Sequence, residues 1–342
     1  MALAGGGKLT APPNLYRFPS VPLLQPQDVT KLYPGVRALN SVSLLLAVAV
    51  ISCTAAPPEA ALELRVMTFN IRYGTANDGE NSWPNRNQFV LDVINDYGPD
   101  VLGIQEALDF QLDELSEAME GYGMIGVGRD DGITAGEFAA ILYRTSRFDV
   151  VESGTFWFSD TPDIPGSTSW GNNVTRICTW AMMRDKASSM QFYVYNIHFD
   201  HESQPSRERS AAMLGARIAA SSTRAPLIVT GDFNAGEQNP AMLFLLGEGR
   251  PIDVEGGSPI TSPSLHDTYR VLHPDSINVG TFNAFRGESS GEKIDAVLVS
   301  SEWHVSDAAI VRTSVDGGYP SDHFPVVATI YFSYSPPDEV GK

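Results

Sequence analysis

Residues 227–234 read Leu227-Ile228-Val229-Thr230-Gly231-Asp232-Phe233-Asn234. Four consecutive apolar or β-branched residues are typical of a short strand that is buried on both faces. This strand ends abruptly at an acid, Asp232, which an amide, Asn234, follows two residues later. Because open α/β sheets bind ligands at the carboxyl ends of their strands, we predict that Asp232 and Asn234 face a functional site.

Five other segments place polar residues at predicted strand ends. They are Thr68-Phe69-Asn70, Gln105-Glu106, Asn196-Ile197-His198, Ile294-Asp295 and Ser321-Asp322-His323. Each alone has a structural explanation as a turn, a loop pair or a capping amide. Together they bring carboxylate, amide and imidazole groups to strand ends, a set that suits a hard divalent cation beside an anionic substrate.

Helices and strands alternate around these segments. The patterns predict helices at 86–97, 110–119, 206–223 and 241–246, and strands at 64–71, 100–105, 137–143, 148–158, 175–184, 191–198, 227–230, 294–300, 305–312 and 325–332. Crossovers through helices alternate with hairpin-linked strands, which favours a mixed α/β fold with two sheets. We predict one domain over residues 61–333 and a tail over 334–342.

The overall composition is that of an ordinary globular protein. Of the 342 residues, 43% are hydrophobic and 19% are charged, which excludes collagen, coiled coils and polytopic membrane proteins. The formal net charge is −18. A protein of this charge repels polyanions at long range, so nucleic acid is a disfavoured partner.

Residues 1–60 differ from the rest, because they hold eight of the 23 prolines and carry a formal charge of +2. We predict a disordered leader here. Its apolar run, residues 44–51, is too short to span a bilayer and fits the hydrophobic part of a secretory signal, although a buried strand is the alternative. Val50-Ile51-Ser52-Cys53 resembles the lipobox of bacterial lipoproteins, in which the cysteine carries lipid.

These features predict an exported protein that is either anchored through lipid at Cys53 or periplasmic or extracellular. Since a signal normally begins at the chain start, translation is expected to initiate near Val36. The other cysteine, Cys178, lies in an apolar stretch and is interpreted as a buried, inert thiol.

The six polar segments, in this order, resemble those of the endonuclease/exonuclease/phosphatase superfamily, also called deoxyribonuclease I-like. The resemblance covers about residues 63–332. It implies a four-layer α/β sandwich, in which two mixed β-sheets pack between helices. It also implies hydrolysis of phosphate esters with a divalent cofactor, Mg²⁺ or Mn²⁺.

The resemblance assigns roles to the metal and water sites. Glu106 is implied as the principal metal ligand, with Asn70 and Asp322 nearby and Asp295 as a further candidate. Asp232, helped by Asn234, is implied to orient or deprotonate the attacking water.

The remaining roles concern the phosphate. The resemblance implies that His323, held by Asp295, hydrogen-bonds the phosphate, and that His198, paired with Glu137, is the second imidazole at the phosphate. Arg176 and Asn70 are implied to contact the substrate. His201 lines the substrate entrance or, alternatively, lies in a solvated loop. Because carboxylates raise the pKa of paired histidines, we expect both imidazoles to be charged near neutrality.

Two departures bear on the substrate. Apurinic endonucleases carry an aspartate where this chain has Arg72, which weakens a DNA-repair function. Trp83, in a segment of the pattern Asn-x-Trp-Pro-x-Arg, is either a substrate wall or a core residue. We predict a monomeric phosphoesterase acting outside the cytoplasm on a small phosphate ester or phosphodiester. The alternatives are an exported nuclease acting on DNA or RNA and a non-catalytic binding protein of the same fold.

Overall fold

The computed structural model describes residues 62–221, 223–252 and 260–332. All of them belong to one of the two units into which the chain divides, Ala55–Lys342. The leader, Cys53 and the tail lie outside the described residues, so the expectations about them stay predictions. Within the described ranges, no helix has both the length and the apolar character needed to cross a membrane.

The helices and strands follow the predicted order. The helices are α1 Trp83–Tyr97, α2 Asp109–Ala118, α3 Gln204–Ala219, α4 Pro240–Leu246 and α5 Thr268–Leu272. The strands are β1 Leu62–Asn70, β2 Val101–Ala107, β3 Tyr122–Ile125, β4 Phe138–Arg144, β5 Phe148–Trp157, β6 Ile177–Asp185, β7 Gln191–His198, β8 Leu227–Asp232, β9 His266–Asp267, β10 Asp295–Val299, β11 Trp303–Ile310 and β12 Val326–Phe332. The short elements β3, β9 and α5 were not predicted, because so few residues carry no measurable period.

Two helix starts show how local sequence sets the boundaries. Helix α1 begins three residues before its predicted start, because Pro84 in the first turn needs no hydrogen-bond acceptor and has a helical φ. Helix α3 begins where the Ser203 side chain accepts a hydrogen bond from the Ser206 N–H. Trp83 is buried in the core beneath α1, so it is not a substrate wall.

The strands form two six-stranded sheets, ordered β11-β12-β1-β2-β4-β3 and β5-β6-β7-β8-β10-β9. One apolar cluster lies between the sheets, a second packs α1 and α2 on the first sheet, and a third packs α3 and α4 on the other. The layers therefore run helix, sheet, sheet, helix, and the predicted four-layer α/β sandwich is confirmed. Cys178 is buried in this packing, as predicted.

The sheet topology brings the polar segments to one edge. Each sheet has one parallel pair, β1 with β2 and β7 with β8. Strand β1 ends at Asn70, β2 one residue after Glu106, β7 at His198 and β8 at Asp232. Their antiparallel neighbours β4, β6, β10 and β12 begin at the same edge, since an antiparallel strand starts where its partner ends. The carboxyl ends of four strands thus meet the amino ends of four others.

A buried polar network joins the two sheets behind this edge. The Asn196 amide nitrogen donates to the carbonyl oxygens of Ile104 and Ala140 across the interface, each at 2.8 Å. Its oxygen accepts from Gln105 Nε2 at 2.6 Å and from Thr230 Oγ1 at 3.0 Å. Because buried polar groups must be paired, this network fixes the spacing of the sheets behind the strand ends.

Gly103 leaves the space that this network occupies. A Cβ atom at this position would lie 2.2 Å from Thr230 Oγ1 and 2.5 Å from Asn196 Oδ1. Gly103→Ala is therefore expected to lower the free energy of unfolding by about 1–3 kcal/mol, as overpacking does, measured by urea denaturation. Gly291→Ala is the control, because a Cβ there meets nothing within 4 Å. Equal stability of the two variants would contradict this account.

Candidate active site

A cavity of about 660 Å³ opens where the two sheets meet. Most of the predicted site residues line it: Glu106, Glu137, Arg176, His198, His201, Asp232, Asn234, Asp322 and His323. Asn70 and Asp295 are buried and hydrogen-bond members of this set. The structure thus brings every predicted site residue to one place.

Three non-glycine residues of the cavity have left-handed backbone conformations. They are Arg72 with φ 60°, Glu106 with φ 63° and Asn234 with φ 47°. At Glu106 the pairing of β2 with β4 shifts register between Gln105 and Ala107, and such a bulge re-aims a side chain. Backbone strain of this kind persists where surrounding contacts hold it, and it clusters at functional sites.

Asn70 connects the acids of the two sheets. Its amide nitrogen donates to Glu106 Oε1 and to Asp232 Oδ2, both at 3.0 Å, while its oxygen accepts the Arg72 N–H at 3.0 Å. The nitrogen, not the oxygen, faces the carboxylates. Asn70 is therefore placed to position the two acids, which differs from the ligand role that the resemblance implied.

His323 is the charged imidazole of the site. Its Nδ1 lies 2.8 Å from Asp295 Oδ2, and its Nε2 lies 3.9 Å from Asp232 Oδ2. Although burial lowers the pKa of His323, the nearby carboxylates of Asp295 and Asp232 raise it well above the usual value. The expectation that this histidine is charged near neutrality agrees with this geometry.

His198 differs, and the expectation that it is charged is wrong. Burial and the Arg176 and Arg129 guanidinium groups lower its pKa well below the usual value. Arg176 Nη1 lies 2.9 Å from His198 Nε2, and because arginine can only donate, that nitrogen is the acceptor of a neutral ring. The Nδ1 proton then faces Glu137, whose Oε2 is 3.9 Å away.

Arg176 supplies the positive charge that His198 lacks. It is buried, with Nε 3.5 Å from Asp200 Oδ2 and Nη2 2.6 Å from His201 Nδ1. Glu137 forms an ion pair with Arg129 at 2.8 Å. This side of the cavity therefore holds two arginines, two carboxylates and a neutral imidazole, and its formal charges balance.

Burial and neighbouring carboxylates raise the pKa values of three acids of the site. Burial, with a contribution from Asp295, raises the pKa of Asp232 to about 7. Burial also raises the pKa of Glu137 to about 7 and that of Asp322 above its usual value, with Glu106 contributing to both. Such crowding favours a bound cation or a proton on the cluster.

This crowding predicts that Asp232→Asn stabilises the protein in the absence of divalent ions. Between about pH 4 and 7 the folded state keeps a proton on Asp232 that the unfolded chain releases, so its contribution to stability falls as pH rises through that window. The variant should gain on the order of a few kcal/mol over wild type at pH 8 and little at pH 4. Urea denaturation in EDTA at both pH values measures this difference, and a constant difference would contradict it.

The donor set fits a hard divalent ion. Glu106, Asp232 and His323 each offer one atom, and these atoms lie within 4.8 Å of one another. A protonated His323 has no lone pair on Nε2 to give, so carboxylate oxygens are the donors that remain, and Asp322 lines the same cavity. Carboxylates are the ligands that Mg²⁺ and Mn²⁺ prefer.

Several residues that hold the site were not assigned a role from sequence. Buried Arg86 donates to the carbonyl oxygens of Ile71, Arg72 and Pro320, which joins the loop after β1 to the loop before β12. The signal was its spacing with Val90 on the apolar face of α1, where a charged residue is unusual.

The segment 281–283 has a similar role. Thr281 Oγ1 accepts the N–H groups of Ile294 and Asp295, each at 3.0 Å, and Asn283 donates through its side chain to the Ser321 carbonyl oxygen at 3.1 Å. These contacts position the Asp295 strand and the Asp322 loop relative to each other. No local pattern in the sequence distinguishes these residues.

Comparisons with known proteins agree with this geometry. Residues 67–323 match the family model described as the Endonuclease/Exonuclease/phosphatase family. The chain belongs to this family. The endonuclease/exonuclease/phosphatase family consists of hydrolases that act on phosphoester bonds, so the predicted enzyme class is confirmed.

Solved structures support the assignment. A family member from Bacteroides thetaiotaomicron is 31% identical, with a TM-score of 0.70 over 81% of this chain and 99% of its own. A mannosyl-6-phosphatase of the same species is 32% identical, with a TM-score of 0.68 over 79% of this chain and 100% of its own. The human nocturnin catalytic domain, 21% identical with a TM-score of 0.61 over 79% and 94%, shares the fold.

Proposed function

We propose that this protein is a Mg²⁺- or Mn²⁺-dependent phosphoesterase that hydrolyses a small phosphate ester by in-line attack of water. One observation carries the proposal. A carboxylate with a pKa of about 7, Asp232, and a charged imidazole, His323, face one cavity together with the candidate metal ligand Glu106. Base, positive charge and metal ligand are the groups that phosphoester hydrolysis requires.

Glu106 and Asp232 would hold the ion, since each offers an atom within 4.8 Å of the other, and Asp322 lines the same cavity. When bound, the ion supplies positive charge to the non-bridging oxygens of the phosphate. The donor set supports this proposal because Mg²⁺ is usually held by one or two carboxylates together with water and phosphate oxygens.

Asp232 is the proton acceptor for water in this proposal. Its Oδ1 accepts the Asn234 backbone N–H at 2.9 Å, and its Oδ2 accepts from Asn70 at 3.0 Å, which fixes the plane of the carboxylate. The Asn234 side chain donates instead to the Phe199 carbonyl oxygen. Asn234 therefore positions Asp232 through its backbone N–H, while its side-chain amide is oriented by Phe199.

His323 donates its Nε2 proton to a phosphate oxygen, and Asp295 holds the ring through Nδ1. Arg176 adds a second positive charge, since its Nη1 lies 2.9 Å from His198 Nε2, which itself lies 3.6 Å from Asp232 Oδ2. Fixed positive groups of this kind stabilise the charge that develops on phosphate oxygens during attack.

The size and charge of the molecule support a small substrate. The cavity of about 660 Å³ accommodates a sugar phosphate or nucleotide, whereas a formal charge of −18 opposes a long polyanion. The similarity to a mannosyl-6-phosphatase makes mannose 6-phosphate the first substrate to test.

The test is a substrate panel with the purified full chain. Mannose 6-phosphate, p-nitrophenyl phosphate, bis-p-nitrophenyl phosphate, inositol phosphates, sphingomyelin and plasmid DNA are each assayed with Mg²⁺, with Mn²⁺ and with EDTA. We expect turnover of a small ester that EDTA abolishes. Turnover that persists in EDTA would overturn the proposed cofactor, plasmid nicking as the main activity would favour a nuclease, and no turnover would favour a binding protein.

A further inference from the structure

Arg72 is a cation held in place beside the candidate metal ligand. Its Nε and Nη2 donate to the Asp78 carboxylate at 3.0 and 3.1 Å, and its Cζ lies 4.6 Å above the Tyr73 ring. Its carbonyl oxygen accepts from Arg86 and Gln111, each at 3.1 Å. A residue in the left-handed region with this many contacts is fixed by its surroundings rather than by its own preference.

The guanidinium faces the cavity between two acids. Nη1 lies 3.9 Å from Glu106 Oε2, and Nε lies 3.8 Å from Asp322 Oδ2. Both distances exceed a hydrogen bond, so Asp78 takes two of the five N–H donors and the donors on Nη1 remain free for a ligand. The Arg72 side chain is 26% exposed and lines the cavity, so a ligand can reach it.

The two oxygens of Glu106 face different surroundings. Oε1 accepts from Asn70, which also bonds Asp232, whereas Oε2 accepts the Tyr73 N–H at 3.2 Å and faces Arg72. Arginine is always protonated in proteins. The guanidinium therefore occupies the space between Glu106 and Asp322 on this side of the cavity. Glu106 and Asp232, which each offer an atom within 4.8 Å of the other, remain for one divalent ion.

We infer that Arg72 selects phosphate monoesters by binding their terminal oxygens, and that it limits the site to one divalent ion. This inference rests on the proposed function. A monoester dianion carries one more negative charge than a diester, and that charge lies on unsubstituted oxygens. A guanidinium with free donors binds such oxygens with short, charge-assisted hydrogen bonds, whereas an esterified oxygen offers them little.

The first test compares a monoester with a diester. Kinetics on p-nitrophenyl phosphate and bis-p-nitrophenyl phosphate are measured for wild type, Arg72→Gln and Arg72→Lys. Arg72→Gln should lower kcat/KM for the monoester by about 10- to 100-fold, the usual effect of a lost charge-assisted hydrogen bond, and for the diester by less than about 5-fold. Arg72→Lys should retain part of the monoester preference, because lysine keeps the positive charge but lacks the planar set of N–H donors of the guanidinium. Equal losses on both substrates would overturn the inference.

The matched control is Arg184→Gln, which removes an arginine from a surface pair with Asp149, 3.2 Å away and remote from the cavity lining. This control should change kcat/KM neither for the monoester nor for the diester. A similar loss of monoester preference in this control would show that net charge, rather than the position of Arg72, is responsible.

The second test does not depend on catalysis. Mn²⁺ bound per chain is counted by electron paramagnetic resonance, and binding of inorganic phosphate is measured by calorimetry. Wild type should bind one Mn²⁺, Arg72→Asp should bind two, and Arg72→Gln should bind phosphate about 10-fold more weakly. Two ions in wild type, or unchanged phosphate binding in Arg72→Gln, would overturn the inference. If wild type cleaves no ester of the substrate panel, the proposed function fails while these binding measurements still decide the role of Arg72.

Discussion

Asp232→Asn is expected to lower kcat by about 10³-fold, within the range of 10²- to 10⁴-fold that a positioned general base contributes. The reason is geometric as well as chemical. Asparagine keeps the shape, and its one carbonyl oxygen can accept the Asn234 backbone N–H, although its NH₂ group then replaces the oxygen that accepts from Asn70. It cannot take a proton from water. The substitution therefore removes the base and leaves the cavity intact.

Steady-state kinetics on the preferred substrate of the panel measure this effect. The control is Asp149→Asn, which makes the same change at an exposed carboxylate that pairs with Arg184. The folded state of Asp232→Asn is checked by the denaturation experiment described above, in which this variant should be the more stable protein at pH 8. A well-folded Asp232→Asn with kcat within about fivefold of wild type would contradict the role of the base.

Glu106→Gln is expected to weaken binding of Mg²⁺ or Mn²⁺ and to lower activity by about 10²- to 10³-fold at ordinary ion concentrations, because a metal that supplies several kcal/mol of transition-state stabilisation is then bound poorly. Glutamine has nearly the same size, so the Asn70 contact at Oε1 is the main geometry at risk. The left-handed backbone at this residue also argues for a conservative replacement.

Calorimetric titration of the ion and kinetics across ion concentration together separate binding from chemistry. Glu302→Gln, at an exposed position, is the control. Raising the ion concentration should restore part of the activity of Glu106→Gln. Unchanged ion affinity in this variant would show that another group holds the ion.

The sequence predicted the site well where function depends on residue type at strand ends. Asp232, His323 and Glu106 each follow or precede an apolar strand, and the parallel pairs β1–β2 and β7–β8 explain why those ends meet. The alternation of strands and helices likewise predicted a mixed α/β fold with two sheets, and the resemblance formed by the strand-end segments implied the four layers. In both cases a local pattern carries the information, because period and polarity are set within one element.

The charge state of His198 could not be predicted in this way. It depends on Arg176, which lies 22 residues earlier in the chain, directly before β6. Its Nη1 is 2.9 Å from His198 Nε2. Pairing with Glu137 alone would have kept the imidazole charged, but burial and two arginines outweigh one carboxylate 3.9 Å away. A pKa is the sum of contributions from groups that only the fold brings together.

The residues that hold the site were missed for a related reason. Arg86, Thr281 and Asn283 act through hydrogen bonds to backbone atoms, and the partners are main-chain groups of distant loops. Main-chain partners leave no trace in residue type. Arg86 alone carried a signal, as a charged residue on the buried face of an amphipathic helix.

The central claim is that water activated by Asp232 attacks phosphorus directly. The stereochemical course of hydrolysis tests it most directly, with a substrate whose phosphate is made chiral by oxygen isotopes and with labelled water as the nucleophile. A single in-line displacement predicts inversion of configuration at phosphorus. Retention would require two displacements through a covalent phosphoenzyme, and it would contradict the account.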